Sequence, residues 1–326
     1  GNETMRLGWA DAGVIVPWTI WKQFADVAII EENWDAMERF MNLINDTKYD
    51  HESLMGEHKG YQYADWLSYE PLESHGRSAF FDNNKGKPRP ETIEYWKYLG
   101  ASYWAIDAVL MSEMAAATGR DAKVFDDMAK AAKDYLRTTF FDENGCFKTE
   151  VLNTMQTPAL FALKNQLFDG QMREEMIARL RENFKSHDNC LQTGFLGTSI
   201  LMSTLTENGM VDIAYELLFQ RKNPSWLYSV DNGATTIWER WNSYMIEKGM
   251  GPKGMNSFNH YAYGCVCEWI WETVAGISCS PADPGFSRII MAPVPDKRLG
   301  YVNAEYHSAA GLIKSSWRYE GDTWIW

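Results

Sequence analysis

Glu239 is the residue whose surroundings most clearly suggest chemistry. It lies between Trp238 and Trp241, at the end of a segment, residues 225–236, that is rich in hydroxyl side chains. Hydrolysis of a glycosidic bond uses two carboxyl groups that flank the bond. Glu239 could supply one of them, and the two tryptophans could hold a sugar ring. The alternative is a structural glutamate that pairs with Arg240 or caps a helix.

A second candidate segment follows closely, where Asn259 and His260 precede an apolar stretch. Side chains at the start of a helix, where the pattern places these two, can donate hydrogen bonds to the hydroxyls of a ligand. The alternative is a structural role, which a lone histidine in this position more often has.

Two aspartates near the start of the chain also lie beside tryptophans. Asp11 follows Trp9 at the beginning of an apolar stretch, so it could cap a helix or accept a hydrogen bond from a sugar hydroxyl. Asp65 precedes Trp66 within a long irregular stretch, residues 58–89, of the kind that often carries function. We therefore include all four residues among the candidates for substrate binding.

The composition narrows the class of partner. The chain has 31 basic and 44 acidic side chains, a net charge of −13, which argues against nucleic acid and anionic membranes because both require a basic face. The sequence predicts no membrane span, no metal site and no cofactor. Aromatic residues make up 14% of the chain, which is compatible with either a large aromatic core or a cleft lined by rings.

Hydrophobic periodicity predicts helices over most of the chain. The clearest span residues 91–118, 121–140, 154–168, 173–185, 197–207, 213–220 and 256–275. Gly119 and Gly170 are expected to end helices and Asp121 to begin one. Short alternating runs at 288–292, 300–306, 311–318 and 323–326 predict β-strands.

These elements predict a mainly α fold, an α/α toroid, followed by a short C-terminal β-sheet segment. We place the boundary between residues 1–278, the catalytic helical domain, and residues 279–326, the start of a β-domain. A helical solenoid is the competing architecture, but no fixed repeat is present and the long loops argue against it.

Five motifs, taken together and in order, resemble the α-L-rhamnosidase family of glycoside hydrolases. They lie at residues 8–18, 64–67, 193–198, 234–241 and 256–269. The resemblance implies an (α/α)₆ barrel and inverting hydrolysis of terminal non-reducing α-L-rhamnose from glycosides or polysaccharides. It implies that Glu239 is the general base and that His260 contacts the sugar, with Trp9, Asp11, Asp65, Trp66, Trp238, Trp241 and Asn259 as further substrate-binding residues.

One departure from the family pattern concerns the general acid. The family's acid is a glutamate in a motif upstream of the one at residues 8–18, and where the start of this chain loosely matches that motif, Met5 stands at the glutamate position. We therefore expect an incomplete toroid that hydrolyses aryl α-L-rhamnosides poorly by itself. The alternatives are another inverting (α/α)₆ glycosidase of the glucoamylase or trehalase type, and a non-catalytic carbohydrate-binding domain in which Glu239 forms a salt bridge.

Overall fold

Helices form most of the chain in the computed structural model, which describes residues 6–50, 62–72 and 88–326. Met5 and most of the predicted loop 58–89 lie outside the described residues. The longer helices are α1 Ala12–Phe24, α2 Ala28–Thr47, α3 Pro90–Ala117, α4 Lys123–Phe140, α5 Gln156–Lys164, α6 Gly170–Ser186, α7 Phe195–Glu207 and α8 Val211–Phe219. Shorter helical segments are Glu150–Thr154, α9 Trp226–Asp231, Ala262–Cys265, α10 Val266–Trp269 and a π-helical turn Ile270–Val274.

Consecutive helices pack as hairpins, which is the arrangement of an α/α toroid. Helix α1 packs against α2, α3 against α4, α5 against α6, and α7 against α8. The first helices of these hairpins also pack against one another in sequence, α1 on α3, α3 on α5 and α5 on α7. They therefore form an inner row, and their partners form an outer row. The predicted mainly helical fold is confirmed.

The two rows differ in their apolar patterns because they differ in burial. The outer helix α4 buries one stripe at three- and four-residue spacing: Phe125, Met128, Ala132, Leu136 and Phe140. The inner helix α3 is buried on most sides, and its buried residues include Trp96, Trp104 and Met111. A helix apolar on all sides is typical of the centre of a large domain.

The helix ends show where the sequence was informative. Gly119 follows α3 with a φ of +70°, a left-handed conformation that glycine adopts without strain. Asp121 Oδ1 accepts a hydrogen bond from Lys123 N at the start of α4. The prediction that Gly170 ends a helix is wrong, because it is the first residue of α6. The predicted helix 256–275 is also wrong in its first part, since helical structure begins only at Ala262.

The C-terminal strands form two small antiparallel sheets. Strand β3, Ile277–Cys279, pairs with β4, Ile289–Met291, after a first short hairpin of β1, Tyr244–Met245, and β2, Gly249–Met250. Strands β5 Tyr301–Ser308, β6 Gly311–Glu320 and β7 Thr323–Ile325 form a three-stranded meander. The predicted domain boundary after residue 278 falls inside β3. In the described residues, no helix is both long enough and apolar enough to cross a membrane.

Candidate active site

Two irregular loops that lie side by side position Glu239. Glu239 N donates to Ser257 O at 2.9 Å, and Ser257 N donates back to Glu239 Oε2 at 2.7 Å. His260 N donates to Ile237 O at 2.9 Å, which continues the pairing of the two loops. Residues 256–260 therefore use their backbone groups across to the Glu239 loop rather than in a helix. This pairing brings Glu239 and His260 to the same place.

Glu239 keeps one carboxylate oxygen without a partner among the residues that the structure describes. The side chain is half-buried, and Oε1 makes no hydrogen bond or ion pair within the described parts of the chain. Arg240, the suspected salt-bridge partner, instead donates to Asn242 Oδ1 and to Met255 O, each at 3.3 Å. The structural alternative of a Glu239–Arg240 ion pair is therefore not what the structure shows.

His260 joins Glu239 to a continuous set of aromatic rings. Its ring lies 5.0 Å from that of Phe195, which in turn lies 5.9 Å from Trp9. Trp9 packs edge-on against Tyr63 at 5.3 Å, and Tyr63 against Trp66 at 5.7 Å. Trp9 and Trp66 are both partly exposed. The structure thus brings Glu239, His260, Trp9 and Trp66 into one region of the surface.

The histidine ring has a defined orientation of its two nitrogens. Ala262 N donates to His260 Nδ1 at 3.3 Å, so Nδ1 acts as an acceptor and the proton of the neutral ring lies on Nε2. Nε2 is then a hydrogen-bond donor, as a contact with a sugar hydroxyl requires. Asn259, the neighbouring candidate, is exposed, and its backbone N donates to Ser257 Oγ.

Trp238 and Trp241 do not offer the open ring faces that the sequence suggested. They are 7% and 3% exposed. Trp241 stacks on Tyr263 at 3.9 Å and donates its indole N–H to Thr193 O, and Trp238 packs edge-on against Phe258. Both line a cavity of about 250 Å³ that Glu239 does not line.

Asp65 is buried, and both of its carboxylate oxygens accept hydrogen bonds from protein groups. This corrects the prediction that Asp65 contacts a sugar. Its Oδ1 accepts from Gly197 N at 2.7 Å, and its Oδ2 accepts from Gly194 N at 2.8 Å and Thr157 Oγ1 at 2.6 Å. The side chain has 0% exposure. Asp65 therefore satisfies backbone N–H groups at the start of α7, where an anion is favoured.

The two glycines of the segment 193–198 are needed for this arrangement. A Cβ at Gly197 would lie 2.7 Å from Asp65 Oδ2, and a Cβ at Gly194 would lie 2.7 Å from Ser68 N. Both distances are too short for a side-chain carbon. Phe195, between these glycines, is the ring that links His260 to Trp9. Phe195 was not among the predicted site residues, although it lies inside the motif at residues 193–198.

A second buried carboxyl, Glu70, supports the neighbouring helix. Glu70 Oε1 accepts hydrogen bonds from Gln156 N and Thr157 N at the start of α5, the second at 2.9 Å. Burial, and then the charge of Asp65, raise the pKa of Glu70 to about 8. Burial also raises the pKa of Asp65. The starts of α5 and α7 are thus held together by acidic side chains.

Asp11 is also buried, with 0% exposure, and it neither caps α1 with its side chain nor reaches the surface. Its Oδ2 accepts from Tyr49 Oη at 2.6 Å, and the carboxyl of Asp107, in the middle of α3, lies near enough for the two carboxyls to affect each other's pKa. Burial, followed by the charge of Asp11, raises the pKa of Asp107 well above its usual value. Neighbouring like charges disfavour ionisation, so Asp107 is the carboxyl that keeps its proton more readily. The predicted sugar contact of Asp11 is therefore corrected.

The fold and the site together define a helical domain built from hairpins, with a carboxylate and an imidazole held by paired loops at its surface. The chain belongs to the family of the bacterial α-L-rhamnosidase six-hairpin glycosidase domain, which matches residues 1–274. The bacterial α-L-rhamnosidase C-terminal domain matches residues 276–326.

Individual relatives agree with this assignment. The chain is 36% identical to an α-L-rhamnosidase of Formosa agariphila over 99% of its length, and 34% identical to one of Alteromonas sp. strain LOR over 97%. It spans 32% of the length of each of these relatives. A crystal structure of Streptomyces avermitilis α-L-rhamnosidase complexed with L-rhamnose superposes with a TM-score of 0.82 at 29% identity, covering 98% of this chain and 28% of that one.

Proposed function

We propose that the protein to which this chain belongs hydrolyses terminal non-reducing α-L-rhamnose from glycosides or polysaccharides, with inversion at the anomeric carbon. Glu239 is the general base in this proposal. The observation that carries it is the free Oε1 of Glu239, held beside His260 by paired loops in a member of the α-L-rhamnosidase family. The relative that binds L-rhamnose in its crystal structure supports the choice of sugar.

The two oxygens of Glu239 have separate tasks. Oε2 is fixed by the N–H of Ser257, which sets the direction of the carboxylate. Oε1 takes the proton of a water molecule as that water attacks the anomeric carbon from the face opposite the leaving group. Because the attacking water must fit between base and sugar, the two carboxyls of an inverting enzyme stand about 6.5–9.5 Å apart.

His260 and the rings around it position the sugar. His260 Nε2–H donates to a sugar hydroxyl, and the partly exposed side chains of Trp9 and Trp66 limit where the sugar ring can lie. The resemblance places the general acid in a motif upstream of residues 8–18, and we propose that the whole protein supplies it from there. That acid protonates the leaving oxygen while Glu239 acts on the water.

The test uses the whole protein and the variant Glu239→Gln. The amide oxygen still accepts from Ser257 N, so the loops keep their pairing, but the side chain cannot take a proton. Turnover of p-nitrophenyl α-L-rhamnoside should fall by about 10²–10⁴-fold. Glu247→Gln, on the exposed turn between β1 and β2, is the matched control and should leave turnover unchanged.

Two results would contradict the proposal. A Glu239→Gln variant that keeps half of the wild-type turnover removes Glu239 from the role of base. The second readout is the anomer released first by the wild-type enzyme, followed by proton NMR before mutarotation. Release of α-L-rhamnose instead of the β anomer excludes the inverting route.

A further inference from the structure

The cavity that Trp238 and Trp241 line has the features of a binding site separate from Glu239. It has a volume of about 250 Å³ and lies between α9 and the segment 234–241. Its walls are aromatic: Trp226, Trp238, Trp241 and Tyr263. Hydroxyl groups of Ser229, Thr235 and Thr236 also line it. Specific ligand sites commonly combine apolar walls with a few well-placed polar groups, and this volume suits one small ligand.

Arg240 gives this cavity a positive charge that no carboxylate of the described residues neutralises. Its side chain is 5% exposed, and in the described ranges it donates only to two neutral oxygens, Asn242 Oδ1 and Met255 O. The exposed Arg298, by contrast, is paired with both Asp296 and Glu216. A buried charge without a counter-charge is costly, so a guanidinium in this position favours an anion.

The guanidinium of Arg240 suits a particular kind of anion. It can bind a carboxylate or a sulfate in a two-point arrangement. Tyr263 also lines the cavity, but its hydroxyl oxygen is buried out of reach of a ligand, so Tyr263 acts as part of the aromatic wall.

We infer that this cavity binds an acidic sugar residue, one that carries a carboxylate or a sulfate ester, with Arg240 as the counter-charge and the aromatic walls around the ring. Glu239 is adjacent to Arg240 in sequence but does not line the cavity. The site is therefore distinct from the proposed catalytic carboxylate. Its occupation can be measured without any turnover of a rhamnoside.

The first experiment compares three probes on the whole wild-type protein by isothermal titration calorimetry at low ionic strength: methyl β-D-glucuronoside, D-glucose 6-sulfate and methyl β-D-glucoside. At least one acidic probe should bind about tenfold or more tightly than the neutral glucoside, since hydrogen bonds to charged groups are the stronger kind. The tighter of the two acidic probes identifies the anion. Equal binding of all three probes overturns the inference.

The second experiment avoids any change to the buried arginine. Val230 lines the cavity and is 56% exposed, so it can be replaced without disturbing the core. Val230→Asp adds a negative charge at the cavity and should weaken binding of the acidic probe about threefold or more, by repulsion. Val230→Asn, of the same size without the charge, should not. Equal affinities of the two variants contradict the inference.

A third measurement separates this inference from the proposed catalytic role. Glu239→Gln should leave the affinity for the acidic probe unchanged, because Glu239 lies outside the cavity. A loss of that affinity in Glu239→Gln would show that the probe binds at the Glu239 site, and the inference of a separate site would fail. The rhamnosidase proposal does not depend on this outcome.

Discussion

Glu239 and Asp65 look alike in the sequence, each an acidic residue next to a tryptophan, but the structure gives them opposite surroundings. Glu239 is half-buried and has one oxygen without a partner in the described part of the chain. Asp65 is fully buried, and its two oxygens accept from three protein donors. The number of carboxylate oxygens left free, rather than the neighbouring residue type, distinguishes a residue available for chemistry from one that holds the fold.

The largest effect expected from this comparison is on stability, in Asp65→Ala. The change leaves Gly194 N, Gly197 N and Thr157 Oγ1 buried without their acceptor, and each unsatisfied group costs about 1–3 kcal/mol. We expect the free energy of unfolding in urea to fall by about 3 kcal/mol or more. Asp46→Ala, at an exposed site on α2, is the control and should change it little. A stable Asp65→Ala protein with lost turnover would instead restore Asp65 as a substrate-binding residue.

A smaller effect on stability is expected from Asp107→Asn, which changes one of the two neighbouring buried carboxyls, Asp11 and Asp107. Folding raises the pKa of Asp107 through burial and the charge of Asp11. The folded protein therefore holds a proton that the unfolded chain releases above its ordinary pKa. Stability should fall as the pH rises above about 4, by about 1.4 kcal/mol for each unit of the raised pKa.

Asp107→Asn removes that dependence, because the amide has no charge at any pH and does not titrate. We expect the variant to be more stable than the wild type above neutral pH, and the difference to shrink towards pH 4. Thermal unfolding midpoints from pH 4 to pH 9 measure this. A wild type and a variant with parallel pH profiles would show that folding does not raise the pKa of Asp107.

The smallest effect is expected at His260, whose role is binding. His260→Ala should weaken binding of L-rhamnose by the value of one hydrogen bond, ~0.5–1.5 kcal/mol, or roughly 2- to 12-fold in Kd. KM should rise more than kcat falls, which a merely structural loss of the loop would not produce. His187→Ala, at the exposed end of α6, is the control. A large fall in kcat at unchanged KM would place His260 in the chemical step instead.

The sequence predicted the helices well where periodicity was strong. The expected helices 91–118 and 121–140 correspond to α3 and α4 within three residues. The helix expected from residue 256 was wrong because residues 257 and 260 use their backbone groups to hold the Glu239 loop. Hydrophobic periodicity alone carries no information about a partner loop elsewhere in the chain.

The candidate site was predictable only where the interacting residues are close in sequence. Glu239 and His260 come together through loops that are close in sequence. The role of Asp65 depends on donors 129 and 132 positions away, which no local pattern reveals. Asp11 was misjudged because its neighbour Asp107 is distant in sequence and lies in an apolar stretch of α3. A charged residue at such a buried position is the sequence signal that points to it.

The bond between Trp317 and Val274 has a consequence for building chimaeras from members of this family. Trp317 in β6 is 2% exposed and donates its indole N–H to Val274 O at 2.8 Å, across the junction of the two matched domains. The two domain matches meet after residue 274, which makes this junction an obvious crossover point for recombination. A crossover there separates the indole donor from its carbonyl acceptor. A chimaera with a foreign β-segment should fold only when that segment also has a tryptophan at the position of Trp317. The hydrogen bond between the two domains is then kept.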